Sequence, residues 1–147
     1  MKLKRIGVLN GPNLNRLGKR EPEIYGHTTL EDIITDLKAS ADANDAEILD
    51  FQSNHEGDLV DQIHAWSDAG LQWGIINPGA YTHTSVAIRD ALASSPIKFI
   101  EVHISNVHER ESFRHISLTA CECIAQICGF GTRGYNFAFQ RIIELAK

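Results

Sequence analysis

The chain has 147 residues, of which 43% are apolar and 22% charged, with a formal net charge of −5. That length fits one domain of the usual ~100–150 residues, and the composition is that of a folded globular protein rather than a disordered one. The acidic balance argues against nucleic acid as the main partner, because phosphate backbones are bound by basic surfaces.

Met1-Lys-Leu-Lys-Arg5 gives the chain a charged start, but the apolar run behind it extends only from Ile6 to Leu9, too short for a secretory signal. Residues 5–10 read instead as a buried strand stopped by the turn residues Gly11-Pro12. Eighteen residues of loop follow, Asn10 to His27, with three Asn, two Pro and three Gly. Loops beyond about 12–15 residues are uncommon in compact domains and are usually functional or disordered; the turn-forming residues here argue for function. The loop places Arg16, Lys19 and Arg20 near Tyr25, and neighbouring positive charge favours a phenolate, so Tyr25 is a candidate general base.

Thr28 with Glu31 has the spacing of a capping box, and Leu30, Ile33, Ile34, Leu37 and Ala41 recur at helical intervals. Ala46 to Phe51 reads as a second strand. Ser53 and Glu56 repeat the capping signature before a helix carrying Leu59, Val60, Ile63 and Trp66. Trp73 to Asn77 is a third strand, ending like the first in Asn beside Pro and Gly. Thr84 or Ser85 caps a third helix with Ile88, Ala91 and Leu92 on its inner face, closed by Ser94-Ser95-Pro96. Ile97 to Ile104 is the fourth strand, residues 105–114 a polar loop with a helical turn, residues 123–128 a fifth strand, and a last helix bears Ala138, Ile142, Ile143 and Leu145. This alternation predicts one doubly wound α/β domain, a parallel sheet covered on both faces. In such sheets ligands sit outside the carboxyl ends of the strands, near a topological switch point; Asn10, Asn77 and His103 all fall at such ends.

Four constellations could carry chemistry. Gly11 and Gly18-Lys19 suggest a phosphate loop, but six residues separate the glycines where four are required, and Arg20 stands at the hydroxyl position; a non-catalytic phosphate- or anion-binding module is the alternative function this leaves open. Cys121-x-Cys123 with seven histidines suggests metal, yet the C-x₂₋₄-C spacing of structural zinc is missing and two residues apart on a strand share an ion poorly; small buried thiols are the expectation. The cysteines, adding Cys128, are odd in number and clustered, so no disulfide framework is expected and a reducing cytoplasm is. No stretch nears the ~18 apolar residues of a membrane helix. Glu101-Val-His103-Ile-Ser105 is sharper, because period-two alternation sends its three polar side chains to one face, and a carboxylate beside an imidazole can orient the ring and hold its proton for acid catalysis. Finally, Asn77 to Ser85 opens the third helix, whose free N–H groups favour an anion, and Arg110 and Arg114 could supply planar donor forks.

Taken together, Asn-Gly-Pro-Asn-Leu-Asn-Arg-Leu-Gly with Glu-Pro-x-Ile-Tyr-Gly, Asn-Pro-Gly-Ala-Tyr-Thr-His-Thr-Ser with Ala-Ile-Arg-Asp-Ala, and Ile-Glu-Val-His-Ile-Ser-Asn closely resemble the type II 3-dehydroquinate dehydratases, in order over nearly the whole chain. Ser117 to Gln126 departs from that pattern, being richer in Cys and carrying Glu122 and Gln126 where the family is more aliphatic. The resemblance implies a flavodoxin-like fold with a five-stranded parallel sheet, one catalytic domain over 1–147, and a lid loop at about 18–27. It implies reversible dehydration of 3-dehydroquinate to 3-dehydroshikimate, a shikimate-pathway step toward aromatic amino acids, with no metal and no organic cofactor. By the same resemblance Tyr25 removes a proton from C2 to give an enolate, Asn13 holds the water that stabilises it, and Arg20 closes over the site. His103, oriented by Glu101, protonates the departing C1 hydroxyl. Asn77 and the Ile104-Ser105 backbone grip the carboxylate, while His83 and Arg114 bind ring hydroxyls. Trimers assembling into dodecamers are implied, with Asp90 reaching a neighbour's site. The unrelated type I enzymes use a Schiff-base lysine, and none of the six lysines here sits obviously at a buried strand end.

Overall fold

The short apolar runs become strands and the longer periodic ones helices. In the computed structural model, which describes residues 4–19 and 22–147 apart from the side chains of Ile24 and Tyr25, the strands are β1 (Lys4–Asn10), β2 (Ala46–Gln52), β3 (Trp73–Asn77), β4 (Lys98–His103) and β5 (Ala125–Cys128). They form one sheet in the order β2-β1-β3-β4-β5, every pairing parallel. That order is the flavodoxin-like one, and its switch point lies between β1 and β3, where the chain reverses its direction of travel across the sheet.

Buried strands carry near-continuous apolar runs because both faces are covered. On one face Ile6, Val8, Ile75, Ile100 and Val102 pack against α2 (Leu30–Asp42) and α5 (Gly134–Leu145). On the other, Leu9, Ile76 and Phe99 meet α3 (Glu56–Asp68) and α4 (Val86–Ser94). Each such aliphatic side chain contributes roughly 1.5–3 kcal/mol on leaving water. The expected inner positions Ile33, Ile34, Leu37, Ala41, Leu59, Ile63, Trp66, Ile88, Ala91, Leu92, Ala138 and Ile142 are buried, Leu30, Val60 and Ile143 are half-buried, and Leu145, at the C-terminal end of α5, is 39% exposed.

The helix starts differ from expectation by one or two residues. The capping box of α2 is Thr29 with Asp32, not Thr28 with Glu31: Thr29 Oγ1 accepts from the Asp32 N–H and Asp32 returns the bond to the Thr29 N–H. Asp reaches back as well as Glu does, and an N-cap of this kind contributes ~0.5–2 kcal/mol. Ser53 does not cap α3, which begins after His55 without a side-chain cap. Its hydroxyl instead accepts from the His55 N–H and donates to Asp58, tightening the turn out of β2. Of the two candidates for α4, Ser85 is the cap, accepting from the Ile88 N–H at 2.9 Å. The long loop is also more structured than a plain loop, with a 3₁₀ turn at Leu14–Arg16 and a one-turn helix, α1 (Pro22–Tyr25). Cys121 and Cys123 sit at a 3₁₀ turn, Ala120–Glu122, rather than on a strand, and Cys121 is exposed.

Candidate active site

The loops after β1 and β3 touch, and that contact builds one wall of a cleft. A Cβ on Gly11 would lie 2.3 Å from the Pro78 carbonyl oxygen, so only glycine lets the two backbones meet. Gly79 completes the contact against Pro12 with φ of 60°, in the left-handed region that favours glycine. The register pairs Asn10 with Asn77 across β1 and β3. Beneath them the buried Tyr135 of α5 accepts from Asn77 Nδ2 at 2.9 Å and donates to Asn10 Oδ1 at 2.6 Å. Burial pushes the Tyr135 phenol well above its ordinary value, so it stays protonated and can donate. Asn77 Oδ1 takes the Gly79 N–H, which fixes the amide's orientation and leaves its second Nδ2 proton for the cleft.

The cleft measures about 170 Å³ and opens at the carboxyl ends of the strands. Asn13 and Asn77 line one side, His83 another, and His103, Ile104, Ser105, Arg110 and Arg114 the rest. Asn13 adopts the left-handed conformation, φ 69°, and its N–H is held by Asn54 Oδ1 at 2.9 Å. His83 Nδ1 lies 2.8 Å from the Ile116 carbonyl. A carbonyl only accepts, so Nδ1 carries the proton and Nε2 is left as the acceptor; partial burial lowers the ring's pKa and favours this neutral form. Arg114 bonds Glu111 through Nε, and Arg110 Nη1 reaches Ser105 Oγ at 3.4 Å.

His103 stands at the end of β4 with Glu101 behind it, Nε2 to Oε2 at 2.9 Å. Glu101 is fully buried yet richly served by donors: Thr82, Thr119, Ser117 and Gln126 all point at its oxygens. Burial is the largest single influence and pushes its carboxyl upward. The bonds from His103, Thr119 and Gln126 together outweigh burial and hold it below the ordinary carboxyl range. An ionised carboxylate only accepts, so the His103 nitrogen facing it is the N–H. The other ring nitrogen is then the one that exchanges a proton with a ligand.

A strand-end imidazole backed by a buried carboxylate, facing amides and guanidinium groups across a small cleft, suits acid catalysis on a polar, anionic molecule. The profile of the family described as dehydroquinase class II matches residues 4–143. The chain belongs to the class II dehydroquinase family. It is 57% identical over 142 residues to a 3-dehydroquinate dehydratase of Ralstonia pickettii (strain 12J), covering 97% of this chain and 92% of that one. It is 54% identical over 139 residues to a 3-dehydroquinate dehydratase of Acinetobacter baylyi, covering 95% and 93%. The crystal structure of a type II dehydroquinase from Butyrivibrio crossotus superposes with a TM-score of 0.92 at 50% identity, covering 97% of this chain and 98% of that one.

Of the residues to which the resemblance assigns roles, Asn13, Asn77, His83, His103, Ile104, Ser105 and Arg114 line this cleft, with Glu101 directly behind it. Arg20 and the Tyr25 side chain lie outside the described residues. Asp90 is exposed on α4 and does not line the cleft of its own chain. Of the segment Asn77 to Ser85 singled out for an anion, Asn77, Gly79, Ala80 and His83 line the cleft, while Ser85 caps α4 itself. Ser105 lies beyond the end of β4, so Glu101 and His103 alone share the strand's alternation. Sequence reasoning missed Tyr135 and the hydroxyl group formed by Thr82, Ser117 and Thr119. Each of the three lies in a stretch that the sequence analysis names, but nothing in the sequence pairs those stretches with Glu101.

Proposed function

We propose that this class II dehydroquinase is a 3-dehydroquinate dehydratase, a hydro-lyase of the shikimate pathway, that works by paired acid and base catalysis with no metal and no cofactor. The observation that carries the reading is His103 held by the buried, ionised Glu101 at the wall of the cleft. The substrate ketone acidifies the C2 proton, so one base on one face suffices to form an enolate, and one acid on the other suffices to expel the C1 hydroxyl as water. Tyr25 is the base and His103, as imidazolium, the acid. After one turnover Tyr25 holds a proton and His103 has lost one, and exchange with solvent restores both. Asn13 holds the water that stabilises the enolate and Arg20 closes over it. Asn77 and the Ile104-Ser105 backbone hold the carboxylate, and His83 and Arg114 the ring hydroxyls.

The assembly we infer is a homo-dodecamer built from trimers, with Asp90 completing a neighbouring site. Exposed apolar side chains support burial against further copies: Phe113, Ile116 and Val86 are 65%, 71% and 58% exposed in the single chain. We place the enzyme in the cytoplasm, a location compatible with its free cysteines. Among the described residues no helix is long and apolar enough to cross a membrane.

The test is to add 3-dehydroquinate to the purified protein, with and without exhaustive chelation, and follow the ultraviolet absorbance of the conjugated enone product. Absorbance should rise at the same rate in both. No product overturns the assigned activity; a loss restored by a divalent ion overturns the metal-free mechanism.

A further inference from the structure

Glu101 has more donors than a carboxylate needs merely to hold a ring. Its Oε1 accepts from Thr119 and, at 3.2 Å, from Thr82; its Oε2 accepts from Ser117 at 2.8 Å, Gln126 at 2.7 Å and His103 at 2.9 Å. The hydroxyls form a shared set, because Thr82 Oγ1 is 2.6 Å from Ser117 Oγ and 2.8 Å from Thr119 Oγ1. Each has one proton, so turning one re-routes the others. Gln126 is different. It comes from the edge strand β5, opposite Glu101 in the ladder, its N–H protons are fixed in the amide plane where a hydroxyl proton turns freely, and it meets the same oxygen as His103 and Ser117.

We propose that Gln126 is a positioning residue for the acid, donating to Glu101 Oε2 so that the proton shared by the Glu101–His103 pair stays on the ring. The inference rests on the dehydratase reading above. With one proton between the partners and one on the far ring nitrogen, the pair has two forms of equal proton count: carboxylate with imidazolium, or neutral carboxyl with neutral imidazole. Only the first is a strong acid toward a leaving hydroxyl. Every donor on Glu101 stabilises the charged carboxylate and so favours the first form. Gln126 and Ser117, the two further donors on Oε2, act on the atom that would otherwise take the proton, and of the two only Ser117 can turn its proton to another hydroxyl.

The surrounding charged and titratable groups leave this task to hydrogen bonds. His83 and Arg114 face the pair from the cleft side, with Arg110 near Ser105. Cys123 and Cys128 face Glu101 from the β5 side, and burial pushes both thiols upward, keeping them neutral. Gln126 itself is exposed in the single chain while its amide reaches inward. Loss of the side chain therefore admits water, which can donate in its place, whereas loss of the donor alone does not.

That asymmetry supplies the test. Gln126→Met keeps the bulk and removes the donor, Gln126→Ala makes room for water, and Gln126→Glu offers a group that donates only while protonated. Gln126→Met should lower kcat about tenfold, the scale of one hydrogen bond to a charged group, with KM little changed; Gln126→Ala should recover part of that loss. Gln126→Glu should work at acid pH and lose kcat as the new carboxyl ionises, a limb absent from the parent profile. ¹⁵N spectra of histidine-labelled protein should show the His103 ring moving toward its neutral form in Gln126→Met. This last readout needs no turnover, so it judges Gln126 even if 3-dehydroquinate is not the substrate, while failure of the parent protein to turn it over counts only against the dehydratase reading. An unmoved ring signal with kcat of Gln126→Met within twofold of the parent overturns the proposal. So does an equal, pH-independent loss in all three variants, which would mark a packing role.

Discussion

His103 Nε2 lies 2.9 Å from Glu101 Oε2 with both side chains buried, so the imidazole is tied at one nitrogen and turns the other to the cleft. Removing the ring should therefore remove the acid but leave the amides and guanidinium groups of the cleft in place. His103→Ala is expected to lower kcat by about 10²–10⁴-fold, the usual contribution of general acid catalysis, while a product-like ligand still binds. Steady-state kinetics beside calorimetric titration checks this; a loss of turnover below about threefold would demote His103 to a structural residue.

Glu101 also ties stability to pH. Its carboxyl is held below its ordinary range in the folded chain, so folding favours the ionised form. The stabilisation is full above the unfolded-state value, about 4.3 for an ordinary Glu, and is lost as pH falls through the lower, folded value. Urea unfolding from pH 7 downward should show stability falling through that acid window. Glu101→Gln should flatten this part of the acid limb and lower the neutral plateau by about 1–3 kcal/mol, because its amide N–H groups then face donors. An unchanged acid limb in Glu101→Gln would show that another group carries the dependence.

Tyr25→Phe should abolish turnover and spare ligand binding, since only the proton acceptor is lost. An ordinary phenol ionises near pH 10, leaving about one in a thousand charged at pH 7, so an efficient tyrosine base requires a cation in a water-poor site. Arg20→Ala is expected to reduce turnover severely and to move the rising limb of the pH–rate profile to higher pH. Near-normal turnover with an unmoved profile would leave Arg20 no part in activating the base.

Asp90 stands exposed on α4, away from the cleft of its own chain. If its work is done in a neighbouring copy, Asp90→Ala should lower turnover about tenfold, the loss expected for one charge-assisted hydrogen bond, without destabilising the isolated fold. Sedimentation at assay concentration should find activity only in the assembled species. A fully active monomer would refute the shared site.

The sheet was legible from sequence because its strands are short and mostly apolar, with turn residues beside several of them, as Trp73-Gly-Ile-Ile-Asn77 before Pro78-Gly79 shows. Helix starts were less so, since Thr28 and Thr29 each have an acidic residue three positions on and only the backbone angles choose between them. The Glu101–His103 contact followed from alternation on one strand. The partners of Glu101 did not, because Thr82, Ser117, Thr119 and Gln126 arrive from three separate segments, brought together by long-range packing that periodicity does not encode. Tyr135 escaped for the same reason: it reads as one more apolar position of the last helix, and its hydroxyl matters only once β1 and β3 lie over it.

That hydroxyl has a consequence for how the protein is made. Asn10 and Asn77 emerge early from the ribosome, and the strands they end can pair before the last helix exists. The group that binds the two amides to one another belongs to α5 (Gly134–Leu145), which is synthesised after all five strands. A nascent chain whose strands have all been made thus still lacks the hydroxyl that joins the Asn10 and Asn77 amides. The seam between the two strand ends is therefore closed only when Tyr135 has been made and α5 has docked.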